Sequence, residues 1–160
     1  MSGPSLEERL KPFPSKLIHT NPSGGGSYVK HSVIVQRLLD LFGTYDFELV
    51  EIIRGDLPAV PADPNGKSKR AREGSPELRQ AAVGAVCRLT VVIDGQPCRI
   101  EDVGDCESPH NWPHDGARLK DAMSDAIKRC AARLGVGLHL WAQDEAYLYD
   151  KLAATPKVDA

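Results

Sequence analysis

Residues 121–137 read DAMSDAIKRCAARLGVG, with apolar side chains at helical spacing and a Lys128-Arg129 pair in the middle. Carried back toward Asp115, the pattern lengthens. Leu119, Ala122, Met123, Ala126, Ile127, Cys130, Ala131 and Leu134 recur at i, i+3, i+4 and i+7 almost without a miss. The spacing predicts one long helix that begins near Asp115 and ends at Gly135.

Upstream the period changes to two. In VGAVCRLTVVIDGQPCRIEDVG, Val83, Ala85, Cys87, Leu89, Val91 and Ile93 alternate onto one face of a strand. Asp94-Gly95 is a strong hairpin turn, and the return strand runs from about Cys98 to Val103. Pro97 cannot donate a ladder hydrogen bond, so it belongs at the start of that strand. YDFELVEII, residues 45–53, also alternates: Phe47 and Leu49 share one face, Val50 and Ile52 the other. Between these segments, residues 55–80 hold four prolines and three glycines and show no period, which predicts a long, exposed, mobile loop.

Nearer the start, YVKHSVIVQRLLDLF (residues 28–42) has Val33 or Ile34, Leu38, Leu41 and Phe42 at helical spacing. Ser32 fits an N-cap and Gly43 the C′ position. Residues 1–27 read as a flexible segment. Ser5 can cap a short LEERL helix stopped by Pro12 and Pro14, and NPSGGGS at 21–27 has linker composition. DEAYLYDKLA, residues 144–153, reads as a short final helix, with a tail at 154–160. The order is helix, strand, loop, hairpin, long helix, short helix. It predicts an α+β fold over residues 28–153, an antiparallel hairpin sheet with the long helix packed across it and a shorter helix before.

Composition narrows the function classes. At 160 residues the chain is one domain, long enough to bury about two-thirds of its unfolded surface. Apolar content of 41% and charged content of 26% are ordinary for a soluble globular protein. Nothing approaches the run of about 18 apolar residues that a membrane helix needs. MSGPSLEERL lacks the basic-then-apolar pattern of a signal peptide. Four cysteines without a CxxC, in such a chain, fit reduced thiols in a cytoplasm. The formal net charge of −2 means that a nucleic-acid binder of this composition needs a local basic patch.

Several constellations offer chemistry. On the long helix Arg118 and Arg129 stand three turns apart and project in nearly the same direction, with Arg133 beside that line and Lys128 flanking it. Most basic dipeptides on a helix are only its wet side, and helix geometry alone does not decide. KSKRAR (67–72) puts four cations in six residues, either a solvated loop or one that catches phosphates. Cys106, His110 and His114 have ligand chemistry for zinc, but Pro113 prevents the regular helix that would align the two histidines. Glu101, Asp102 and Asp105 could hold a divalent ion in a nuclease, but no Lys or His adjoins them to handle the proton, and Arg99 cannot act as a base. Ser-His-Asp order, P-loop and GxGxxG are all missing, and 6% aromatic content is too little for a broad stacking platform.

EDVG at 101–104, closing a hairpin, and SDAIKRCAARLGVGLHLW at 124–141 resemble the Rad fifty-two-type single-strand annealing proteins, most closely the short bacterial and phage DdrA-like members. Pro12-Phe13-Pro14, and Tyr28-Val29 with Arg37-Leu38, match the family's early "PFP" and "YV…RL" motifs. The resemblance spans about residues 11–150. It implies subunits that join into rings and hold single-stranded DNA in a positively charged groove with the bases exposed for pairing. It implies no active site, no cofactor, no metal, no small-molecule substrate and no membrane.

By the same resemblance, the phosphate-contacting Lys-Arg pair falls on Lys128 and Arg129. Arg133, Arg118, Lys30 and Arg37 are the further candidates for DNA contact. The chain departs from the pattern at Ala132, where eukaryotic members carry another arginine, and at Val33, where they carry a basic residue. The return strand is about two residues longer and the 55–80 loop is expanded. The resemblance therefore implies a DNA-annealing protein of recombination and repair, working in the cytoplasm of a bacterium or as a phage protein there. The alternatives are a protector of single-strand ends that does not anneal, and a metal-dependent nuclease using Glu101, Asp102 and Asp105.

Overall fold

A computed structural model describes residues 2–22, 24, 26–142 and 147–154 of the chain. Its helices are α1 (Leu6–Leu10), α2 (His31–Phe42), α3 (Lys69–Glu73), α4 (Asp115–Arg133), α5 (Leu138–Ala142) and α6 (Tyr147–Ala154). Its strands are β1 (His19–Thr20), β2 (Ser27–Tyr28), β3 (Asp46–Leu57), β4 (Leu78–Ile93) and β5 (Gln96–Asp105). Two short 3-10 turns complete the order, at Ser15–Leu17 and Pro109–Asn111. The architecture is α+β with antiparallel sheets, β1-β2 and β3-β4-β5, and α4 packs on the larger one.

The hairpin forms where the turn chemistry puts it. Asp94 (φ 52°) and Gly95 (φ 75°) take the two left-handed positions of a type I′ turn between β4 and β5. Backbone contacts then divide the chain into two compact units. One comprises Met1–Phe47, Arg88–Ile100 and Ile127–Ala160; the other comprises Glu48–Cys87 and Glu101–Ala126.

The second unit is packed with small residues. Ala81, Ala82, Ala85, Cys87, Cys106, Ala122 and Ala126 are buried there. Gly104, the last residue of EDVG, explains why. A Cβ at that position would fall onto the Ala122 carbonyl oxygen and lie 2.5 Å from the Ala126 nitrogen. The α4 backbone therefore rests directly on the β5 backbone, which only glycine permits. Gly84 continues the close approach, since a Cβ on it would stand 3.1 Å from the Gly104 carbonyl oxygen. Hydrogen bonds fix the register: Asp105 N–H donates to the Asp125 carboxylate (3.0 Å) and Ala82 N–H to Asp115 Oδ1 (3.1 Å). The Asp115 carboxyl is held below its ordinary value, first by that backbone N–H and also by Arg118 and Arg54.

The first unit has a larger apolar core: Phe13, Val29, Ile34, Leu38, Leu89, Val91, Ile127, Cys130, Ala131, Leu134 and Val136. Here α4 buries the stripe that its spacing predicts. Residues 1–27 carry more structure than their composition suggests. Ser5 caps α1 in a full capping box with Glu8, and Leu10 and Phe13 are both buried at 4% exposure. Arg9 Nη1 donates to the Leu134 carbonyl (3.1 Å), satisfying an orphan acceptor past the end of α4.

Three boundaries differ from expectation. Helix α2 begins at His31 with Lys30 as N-cap and no side-chain cap, because Tyr28 pairs with His19 across β1-β2 and Val29 is buried. Its other end is as expected, with Gly43 at φ 70°. Strand β3 continues to Leu57 and β4 starts at Leu78, so the expected 55–80 loop contains strand ends and α3, which Ser68 caps. The expected final helix is present as α6, and α5 is an addition before it; the expected start at residue 144 and the tail beyond Ala154 lie outside the described residues. None of the four cysteines forms a disulfide.

Gly104→Ala should lower unfolding free energy in a urea titration by about 3 kcal/mol or more, at the upper end of overpacking effects. A loss under about 1 kcal/mol would mean that α4 does not sit on β5 as described. A second expectation concerns His139, whose Nε2 accepts from Phe13 N–H (3.4 Å). Burial first, then Arg37, lowers its pKa from the ordinary 6.5. A depressed histidine contributes stability that is complete above pH 6.5 and is lost as pH falls through its folded value. Thermal melts across that window should show wild-type stability falling with pH, and His139→Gln should flatten the fall; parallel profiles would remove this role.

Candidate nucleic-acid interface

The buried stripe of α4 decides where its cations go. With Ala126, Ile127, Cys130, Ala131 and Leu134 inward, Lys128 and Arg129 flank the stripe half-exposed and Arg133 is exposed in the last turn. After α4, Gly135 (φ 93°) and Gly137 (φ 75°) turn the chain through left-handed conformations that favour glycine. The turn brings α5 back alongside. Lys128 then lines a small cleft with Tyr28, Val136, Gly137, Leu140 and Trp141. The Arg129 guanidinium lies over the Trp141 ring, 5.1 Å from its centroid.

The start of α2 faces the same neighbourhood. The pKa of His31 is lowered, first by burial and then by the charge of Lys128. Lys30, the residue before it, is exposed at the N-cap. Lys30, His31, Lys128, Arg129 and Arg133 therefore all belong to the first unit.

The remaining two candidates are placed differently. Arg37 donates from Nη1 to the Lys11 carbonyl (3.0 Å) and from Nη2 to that of Pro12 (3.5 Å), and its guanidinium covers the Phe13 ring at 4.7 Å. It clamps the Pro12-Phe13-Pro14 segment. Arg118 lies in the second unit, and at 7% exposure it is the buried charge among the described residues. Its Nε donates to the Pro109 carbonyl (2.8 Å), Nη2 to the Trp112 carbonyl (2.9 Å) and Nη1 to Asp115 (3.1 Å). A sequence signal for this existed: Arg118 stands four residues before Ala122 and eight before Ala126, on the buried line itself.

Two aromatic residues escaped the sequence reading. Tyr28 and Trp141 are 44% and 51% exposed, and they meet at the Lys128 cleft. A low total aromatic content gave no hint that two from opposite ends of the chain converge. The acidic candidates Glu101, Asp102 and Asp105 follow one another along β5, where alternate side chains take opposite faces. Among the described residues no group of three His, Cys, Asp or Glu side chains is placed to hold a metal ion, and this covers Cys106, His110 and His114 as well. Burial and the neighbouring Asp121 push the Cys106 thiol up to about 11, so it stays protonated at neutral pH. Among the described residues no helix is long and apolar enough to cross a membrane.

The profile of the Rad52/22 family of double-strand break repair proteins matches residues 5–158. The chain belongs to this family. No curated protein matches it at a significant level. The Rad52/22 match includes both units, all of α4 and the EDVG close of β5. The family is one of DNA double-strand break repair.

Arg118→Ala should act on folding. Removing a buried, multiply bonded guanidinium costs about 3 kcal/mol, read as a lower urea midpoint. A variant of unchanged stability and weakened DNA binding would make Arg118 a contact residue instead.

Proposed function

We propose that this Rad52/22 family protein binds single-stranded DNA through Lys128 and Arg129, with Arg133 and Lys30 alongside, and promotes the pairing of complementary strands. The observation that carries the reading is the placement of Lys128 and Arg129 as adjacent half-exposed cations on a helix whose other side is locked into the core. Annealing requires that phosphates be neutralised while base edges stay free. Lys and Arg on a fixed helix neutralise phosphates without reading sequence. No chemistry on the strand is required, so the protein works as a binding platform.

The same proposal includes a ring of identical subunits. β3 and β5 are the outer strands of the larger sheet, and edge strands need cover. Neighbouring copies supply it. The setting we propose is the cytoplasm of a bacterium, or of one infected by a phage.

If Lys128 and Arg129 each touch one phosphate, replacing both by Ala weakens binding to every sequence alike. For single strands each lost contact reduces the slope of log affinity against log salt by about 0.7, so by about 1.4 for the pair. Folding survives, because Ala is the better helix former. Fluorescence anisotropy across a salt series reads the slope, and light scattering reads the mass. A folded double variant of wild-type mass that keeps the wild-type slope would reduce the pair to a solvated helix face.

A further inference from the structure

We infer that Trp141 and Tyr28 form a stacking surface for an unstacked nucleobase of the strand whose phosphates meet Lys128 and Arg129. The inference rests on the DNA-binding reading above and adds the group that the cleft recognises.

Two large aromatics stand about half-exposed around one cleft in a chain with few aromatics. Leaving that apolar area in water forgoes stabilisation that burial would give. One side of the indole is taken by the Arg129 guanidinium, a cation–π contact. Tyr28 is steadied in turn by His19, with ring centroids 5.5 Å apart. The cleft between them is about 50 Å³, too small to enclose a base. A base therefore lies against the rims and is not read at its edges.

Cations beside exposed aromatic faces are the combination that binds single strands without sequence preference, since every base has a π-face. In a duplex both faces of a base are already stacked, so the surface favours single strands. The turn at Gly135 and Gly137 is what delivers Trp141 to Lys128.

The test compares oligothymidine with an abasic oligomer of equal length, which keeps the phosphates and lacks the bases. Wild-type protein should prefer oligothymidine by about fivefold or more. Trp141→Ala should lose that preference while keeping the affinity for the abasic oligomer and the salt slope. Trp141→Phe should retain most of the preference. In a Trp112→Phe background, where Trp141 is the remaining indole, oligothymidine should quench the fluorescence and the abasic oligomer should not. This readout serves even if Trp141→Ala fails to fold.

A preference or quenching pattern that does not depend on Trp141 overturns the inference and leaves the Lys128/Arg129 reading intact. A drop in oligomer mass in Trp141→Ala also overturns it, because the aromatic pair would then be covered by a second copy of the chain. Failure of the wild type to bind either oligomer overturns both proposals together.

Discussion

At Gly104 the backbone of α4 lies against the backbone of β5 with no side chain between them. That contact constrains the helix more tightly than any apolar pair could, because main-chain atoms cannot change rotamer. It sets the rotation of α4 about its own axis. Ala122 and Ala126 are thereby held inward, against the strand.

Arg118 shows how strict the phase is. It stands on the buried line, so its charge must be answered inside the protein, and two carbonyls and Asp115 answer it. Arg37 behaves alike at smaller cost, spending its donors on the Lys11 and Pro12 carbonyls and its cation on Phe13. Counting basic residues on a helix thus overstates a binding surface. A guanidinium is as able to fasten a loop as to meet a phosphate.

Features that depend on local periodicity or turn chemistry were legible in the sequence. Helix α4 from Asp115, its apolar stripe, the Asp94-Gly95 turn, Gly43 after α2 and the Ser5 cap all stand where spacing places them. Features decided by tertiary contact were not. Val29 is buried and Tyr28 pairs with His19, and the helix for which Ser32 fits as N-cap begins at His31 instead, with Lys30 as N-cap. Phe13 looked like a residue of an irregular segment until the core supplied a place for it. Gly66 and Gly74 let the Pro-rich stretch fold tightly around α3, since a Cβ on either would strike backbone within 3 Å. The site divides likewise. The Lys128-Arg129 pair is visible in one helix, whereas Trp141 and Tyr28 come together only because two glycines after α4 reverse the chain.

The proposed annealing role is judged by what bound strands do next. The most direct measurement follows the pairing of two complementary oligonucleotides carrying a donor and an acceptor dye, with and without the protein. The account predicts that the protein accelerates pairing under conditions where it binds both strands, and that the acceleration disappears with Lys128 and Arg129. Strands that are bound but pair no faster than in free solution would contradict it, leaving a protein that only covers single-stranded ends.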